Sequence, residues 1–471
     1  MKHDKPTRQV SMRMFLTLVL IMMSSAFAMA QETYGIKIAG EYITGYNRYD
    51  LTEINGVSGK VYFDPNTRTL TLDNATIEAD GSNAILNQDC DYLVIELIGT
   101  NTINVTNSAG IYLQKETSIL GTSGSKLTIT SNKGAVLFEN SPLEINNCWL
   151  EVEGKWGISA SNNVAEEVLK IRNSHVEATG PNGSISDIAG LELEGCYIDI
   201  PSKAAYNADT KSVAVKGVTV TDKVVIEPDS YGIKIAGKDV TSLNCKDLSV
   251  IDGVDGKISY DPETKTLTME DVTINATDFN GIGNRGVKDM KIKLFGNNII
   301  TSKSACIAIR ETATISGSGT LSLKSSGDCG LYMHTSLSVE GVKLYAEGKY
   351  GVAGDDGTRG EILTLRNSYV EATGSSGSIC DLQNLVLDGS SITQPTGAAF
   401  DANVHAVALN GKTVTDKVVI ESDNNSIGTI TADVPARKQG IYNLNGVKLT
   451  QQWDDLPAGI YIVDGVKRVK N

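Results

Sequence analysis

Histidine is nearly missing from this chain, at four residues in 471. His3 falls in a leader-like N-terminus, while His175, His334 and His405 stand apart in strand-like contexts. The alignment of His175 with Tyr369 suits an exposed strand position better than a general base. This scarcity removes most of the acid–base and metal-ligand chemistry that imidazole supplies. Bases are short as well, with 42 Lys and Arg against 56 Asp and Glu and a net charge of −14. Nucleic acid demands a basic face and an anionic leaflet demands a polybasic patch, so neither partner is expected. The seven cysteines are odd in number, show no CxxC pair and have no neighbouring His. A zinc site and a paired disulfide framework are thereby disfavoured, and the thiols read as small buried hydrophobes. There is no GxSxG, no HExxH and no phosphate loop. Aromatics are 6% of residues, and no helical periodicity runs through the chain, which excludes a helical bundle.

What remains is Gly, Thr, Ser, Asn, Val and Ile, the composition of short strands joined by tight turns. The first thirty residues carry an address. Lys2, Lys5, Arg8 and Arg13 precede an apolar run from Phe15 to Met23, and Ala28-Met29-Ala30 supplies a cleavage pattern before Gln31. The run is too short to span comfortably, no Cys lies near the cut, and no later stretch reaches transmembrane length. An exported chain without a membrane span is expected, secreted or on the outer surface, with the periplasm as the alternative. Cleavage leaves 38 basic against 55 acidic residues, or −17.

The rest is one unit written twice. Tyr34-Gly-Ile-Lys-Ile-Ala-Gly40 returns at Tyr231–Gly237, and 24 of 44 positions are identical between 34–77 and 231–274. EGKWG at 153–157 returns as EGKYG at 347–351, and TVTDKVVIE at 219–227 returns at 413–421. Within the first unit, small residues followed by apolar strands open segments at Ala84, Gly110, Gly134, Gly157, Ser184 and Ala205, 21–27 residues apart. Gly281, Cys306, Gly330, Gly351, Ser378 and Ala399 are the counterparts. Each segment reads as three short strands with alternating apolar and polar residues, as in Leu143-Glu144-Ile145. The expected fold is all-β: two tandem parallel β-helix units with antiparallel caps, plus a small C-terminal β-module, in preference to serial β-sandwiches. The expected divisions are a signal peptide over 1–30, β-helix units over 31–229 and 230–422, a linker over 423–439 and a module over 440–471. Asn146, Asn147, Asn173 and Asn367 fall at strand ends, where stacked Asn ladders would satisfy backbone groups at coil corners.

The turn Y/F-D-P-x-T-x-T-L-T-L, followed by IxLxGxNxI and Gly-Ile-Tyr coils, resembles β-helical proteins of bacterial carbohydrate-binding and surface families. That resemblance implies export and a polysaccharide or cell-surface glycan as partner. The C-terminal run Leu456-Pro457-x-Gly459-Ile-Tyr461-Ile-Val463, with Gly465 and terminal Lys467, Arg468 and Lys470, resembles the sorting domain of cargo of the type IX secretion system of Bacteroidetes. It implies engagement of that secretion machinery; a small β-module that merely ends the chain is the competing reading.

Candidate chemistry is sparse. Trp156 and Tyr350 hold one aligned position between Lys and Gly, and serve either as sugar platforms beside Lys155 and Lys349 or as rings packed at a coil corner. Those lysines would favour an acidic polysaccharide. Asp355 and Asp356, with Arg359 and Glu361 near, form the one carboxylate cluster that qualifies for Ca²⁺ or catalysis, against a solvated charged loop. No other cofactor is indicated. Arg172 and Arg366 recur and read as cross-coil salt bridges. Binding without catalysis is expected, the alternatives being a polysaccharide lyase or hydrolase and a structural stalk or adhesin.

Overall fold

A computed structural model describes residues 33–423 apart from 123, 162 and 163, together with 441–442, 448–449, 453–457, 459–463 and 466–470. The leader over 1–30 and Gly465 lie outside the described residues.

The alternation read from the sequence builds a three-faced solenoid. One coil runs through Gly134–Phe138, Leu143–Asn146 and Trp149–Glu153, and stacks in parallel register on Trp156–Ala160, Val168–Arg172 and His175–Thr179. Inward side chains line up from coil to coil. Ile85, Ile111, Val136, Ile158 and Ile185 form one such column on the first face, and all five are fully buried. A single coil cannot cover its apolar side; the stack can. The second unit repeats the column with Ile282, Ile307, Leu331, Val352 and Ile379. The buried cores are separate clusters, one running from Ile36 to Ile226 and the other from Ile233 to Ile420. They meet at a short polar junction, where Ser242 donates its hydroxyl to the Gly195 carbonyl at 2.7 Å and its N–H to that of Asp229 at 3.1 Å.

The bend between the second and third faces needs left-handed backbone, so Asn, Asp or Gly fills it. Asn74, Gly99, Asn147, Asn173 and Gly195 hold φ of 44–65° in the first unit, and Asp271, Gly296, Gly341, Asn367 and Gly389 hold 45–68° in the second. Gly99 is needed for space too, since a Cβ there would lie 2.3 Å from Asn74 Oδ1. The corner ladder therefore includes Asn147, Asn173 and Asn367, whereas Asn146 is the last residue of its strand.

Each unit is closed at both ends. At the start, Thr33–Ile38 pairs antiparallel with Glu41–Thr44 and Ile85–Asn87, and Val57–Asp64 forms a hairpin with Thr69–Asp80. At the other end, Val224–Pro228 inserts antiparallel between His175–Thr179 and Cys196–Ile200. This second closure corrects one expectation. Ala205 and Ala399 do not open sixth coils; they begin small antiparallel sheets, Ala205–Asn207 with Ser212–Val215 and Ala399–Asp401 with Ala406–Leu409. The closing strand covers the third face at the end of the stack, while Gly190–Glu194 keeps a single ladder partner, Val168–Arg172.

Arg172 bridges Glu144 and Glu194, and Arg366 bridges Glu340 and Asp388, as cross-coil pairs. All seven cysteines are buried and free. The C-terminal residues form a four-stranded antiparallel sheet built from Ile441–Tyr442, Lys448–Leu449, Gly459–Val463 and Val466–Lys470. No helix among the described residues is long and apolar enough to cross a membrane.

Candidate ligand-binding groove

The outward side of the first face in the second unit is lined with small residues. Ala305, Ala308, Cys329, Ala353 and Cys380 form a shallow buried patch, and Tyr332 and Tyr350 stand on it. Register explains why. Tyr332 is stacked between Ala308 and Ala353, and Tyr350 between Cys329 and Gly377. Neither ring has a neighbour of its own size in its column, so open space is left beside both. The result is a groove of about 390 Å³ whose polar lining includes Arg310, Asp328, Asp355 and Asp381. A groove walled by two rings over a floor of small side chains, with a few polar groups at the edge, fits a flat and hydroxylated ligand.

Its rim is ordered by a hydrogen-bonded network. The Tyr332 hydroxyl donates to Asp355 Oδ1 at 2.8 Å, and Arg359 Nη1 lies 3.0 Å from Asp355 Oδ2. His334 Nδ1 is 3.4 Å from the same carboxylate. Burial, reinforced by the bond to Asp355, pushes the Tyr332 hydroxyl up to about 12, so it is a donor at neutral pH. Asp356 is held below its ordinary value, first by the Thr358 hydroxyl and further by Arg359. The buried Glu361 fixes the loop by accepting the Arg359 N–H at 2.7 Å. Burial raises the thiols of Cys329 and Cys380, which donate to Asp328 and Asp381 at 3.4 and 3.2 Å.

The residues singled out in the sequence are only partly brought together. Tyr350 and Asp355 line one groove. Lys349 is exposed with Nζ 5.4 Å from the Tyr350 ring centroid. Trp156 is half-buried between Gly134 and Gly183 in the first unit, and Lys155 beside it is exposed. Asp355 and Asp356 share the Arg359 guanidinium, so they do not present the anionic oxygen cluster that Ca²⁺ takes. Among the described residues no three His, Cys, Asp or Glu side chains converge as a metal site. In the C-terminal sheet Leu456 is buried, Pro457 is exposed, and the Tyr461 hydroxyl donates to the Pro457 carbonyl at 3.0 Å.

His175 corrects another expectation. It is 3% exposed, stacks under Trp149 at 3.7 Å between ring centroids, and places Nδ1 2.9 Å from Glu227 Oε2. The antiparallel closing strand that carries Glu227 covers it, and that strand was not foreseen as its neighbour.

Sequence reasoning missed Tyr332, Arg310, Asp328 and Asp381. The available signal was a difference between the repeats. The first-unit column has Leu86, Tyr112 and Leu137 where the second has Gly283, Ala308 and Tyr332, so large side chains flank Tyr112 on both sides. Reading it needs the true register, in which Gly134 matches Cys329 rather than Gly330: Gly134 pairs with Trp156 as Cys329 pairs with Tyr350.

No family model matches the chain, and no curated protein or solved structure matches it either.

Proposed function

We propose that the chain is an exported, non-catalytic glycan-binding protein of the cell surface, related to bacterial β-helical carbohydrate-binding and surface proteins, whose ligand seats in the second-unit groove. The observation that carries this reading is the pair of rings, Tyr332 and Tyr350, standing on alanine, cysteine and glycine with open space beside them. The leader over 1–30 supports export, and the likeness of Leu456, Pro457, Gly459, Tyr461 and Gly465 to a type IX sorting signal supports passage through that machinery to the outer surface. The division proposed is the leader, β-helix units over 31–229 and 230–422, a linker over 423–439 and the sorting-like module over 440–471.

The test is affinity electrophoresis of the full chain through gels cast with a panel of neutral, acidic and amino polysaccharides. Retention by at least one polymer is expected, with Tyr350→Ala and Tyr332→Ala each weakening it about tenfold. Lack of retention across the panel, or retention indifferent to both substitutions, overturns the reading. A second reading, a lyase or hydrolase, draws on the three carboxylates Asp328, Asp355 and Asp381 along the same groove. Release of unsaturated or reducing ends from a retained polymer would establish it.

A further inference from the structure

Asp381 has an internal control. Its repeat partner, Asp187, shares its place at the end of a first-face strand and its left-handed backbone, with φ of 59° against 55°. In the first unit both Ser159 and Ser186 donate hydroxyls to Asp187 Oδ2, each at 3.0 Å. In the second unit those two positions are Ala353 and Cys380. Asp381 thus keeps a weak thiol donor in place of two hydroxyls, and it lines the groove. Asp328 repeats the pattern of change. It stands where the first unit has Lys133, and both residues use their backbone carbonyl alike to accept the N–H groups of the next coil. The side-chain charge has been reversed, and Asp328 too accepts a thiol and lines the groove. Neither carboxylate has a Lys or Arg within 4.0 Å among the described residues, whereas Asp355 is neutralised by Arg359.

The geometry points to an amino sugar carrying a free, protonated amine as the ligand class of this groove, with Asp381 and Asp328 as the acceptors of its ammonium and hydroxyl donors. The inference rests on the glycan-binding reading and narrows it. With Asp355 paired to Arg359, the carboxylates of Asp381 and Asp328 line the cavity against the guanidinium of Arg310. An acidic polymer, which Lys349 alone would favour, meets the carboxylates of Asp328 and Asp381 inside the groove, whereas Lys349, over the Tyr350 ring, is not among the residues that line it. An ammonium bonded to an otherwise underused carboxylate is among the stronger polar contacts, since donor and acceptor are both charged. The adjoining rings cover the apolar CH face of the same residue.

The repeat also provides substitutions whose fold is already precedented. Ala353→Ser with Cys380→Ser restores the two hydroxyls that Asp187 enjoys, so Asp381 becomes satisfied from within at unchanged charge. Ala308→Tyr installs the ring that Tyr112 occupies and fills the space beside Tyr332. Asp381→Asn removes the charge while keeping a residue type that tolerates the left-handed backbone. Calorimetric titration of the full chain at mildly acidic pH should compare three probes: a β-1,4-glucosamine oligomer, its fully N-acetylated counterpart and an oligogalacturonate. The free amine is expected to bind about tenfold tighter than the acetylated form, and the acidic oligomer to bind weakest. Asp381→Asn and the double serine variant should each erase most of that preference, while Ala308→Tyr should abolish binding of all three. Equal binding of amine and acetylated oligomers, or a preference that survives both Asp381 perturbations, overturns the amine assignment while leaving glycan binding intact. Binding of none of the three overturns the amine assignment; only a blank polysaccharide panel would remove the broader reading with it.

Discussion

Replacing Asn101 by Leu should destabilise one unit and spare the other. Asn101 and its repeat partner Asn298 are both without solvent exposure. Asn101 Oδ1 accepts the Ala75 N–H at 2.8 Å, while Nδ2 donates to the Ile98 carbonyl at 3.1 Å and the Lys126 carbonyl at 3.4 Å. Asn298 does the same with Val272, Phe295 and Thr320, at 3.1, 2.9 and 3.3 Å. One amide therefore stitches three successive coils at a place where water cannot enter. Leu fits the space but leaves an N–H without an acceptor, costing about 1–3 kcal/mol, and each lost carbonyl bond costs about 1 kcal/mol more. The apolar atoms gained return about 1 kcal/mol. The net loss is about 2–4 kcal/mol, or a fall of about 5–15 °C in melting for a unit of this size.

The two cores share no residue, so that loss should stay local. Hydrogen exchange followed by mass spectrometry reads the units separately. Asn101→Leu is expected to shorten protection across Ile85–Asn87, Ile111–Leu113 and Gly134–Phe138, leaving the second-unit columns as they were. Asn298→Leu should give the mirror result. Asn147→Gly is the control: it loses one amide bond to the Gly121 carbonyl at 3.0 Å but relieves a left-handed residue, so its effect should stay within about 1 kcal/mol. A chain carrying Asn101→Leu that is as stable as its parent, or one that loosens both units alike, would refute the stitching argument.

Two further outcomes are expected. All seven thiols are buried, and burial pushes Cys148 and Cys306 up to about 12, so a thiol reagent at about pH 8 should label none in the native chain and all seven after denaturation; stoichiometric native labelling would contradict the packing. Asp50, Asp80 and Asp261 are each held below the ordinary carboxylate value of 3.8, chiefly by threonine hydroxyls. Depressed folded-state values mean that their contribution is complete above the unfolded value and is lost as pH falls through the folded one. Melting temperature should therefore hold steady down to about pH 4 and drop below it, and melts that improve on acidification would reverse the sign.

The coil period was legible in the sequence because the solenoid interior imposes it. Each first-face strand needs a small residue where the chain turns in and an apolar one that joins a column, and Ile85, Ile111, Val136, Ile158 and Ile185 advertise that demand. The closing strands were not legible. Ala205 and Ala399 carry the same local pattern as a coil opening, and only the absence of a next coil turns their strands back into antiparallel sheets. His175 was misread for the same cause, since the strand that buries it arrives 52 residues later.

The groove illustrates a different limit. Tyr350 was visible because an aromatic residue recurs at its place, and recurrence favours what the two units share. The groove is written instead in what the units do not share: Ala308 for Tyr112, Ala353 for Ser159, Cys380 for Ser186, Asp328 for Lys133. The first of these exchanges removes bulk, the second removes a hydroxyl donor from an acidic group, the third leaves it a weaker thiol donor, and the fourth reverses a charge. A structural stalk would tolerate the filled version found in the first unit, with Tyr112 wedged between leucines and Asp187 satisfied by two hydroxyls. The second unit lacks those contacts, and a ligand that fills the space and satisfies Asp381, as proposed, would take their place.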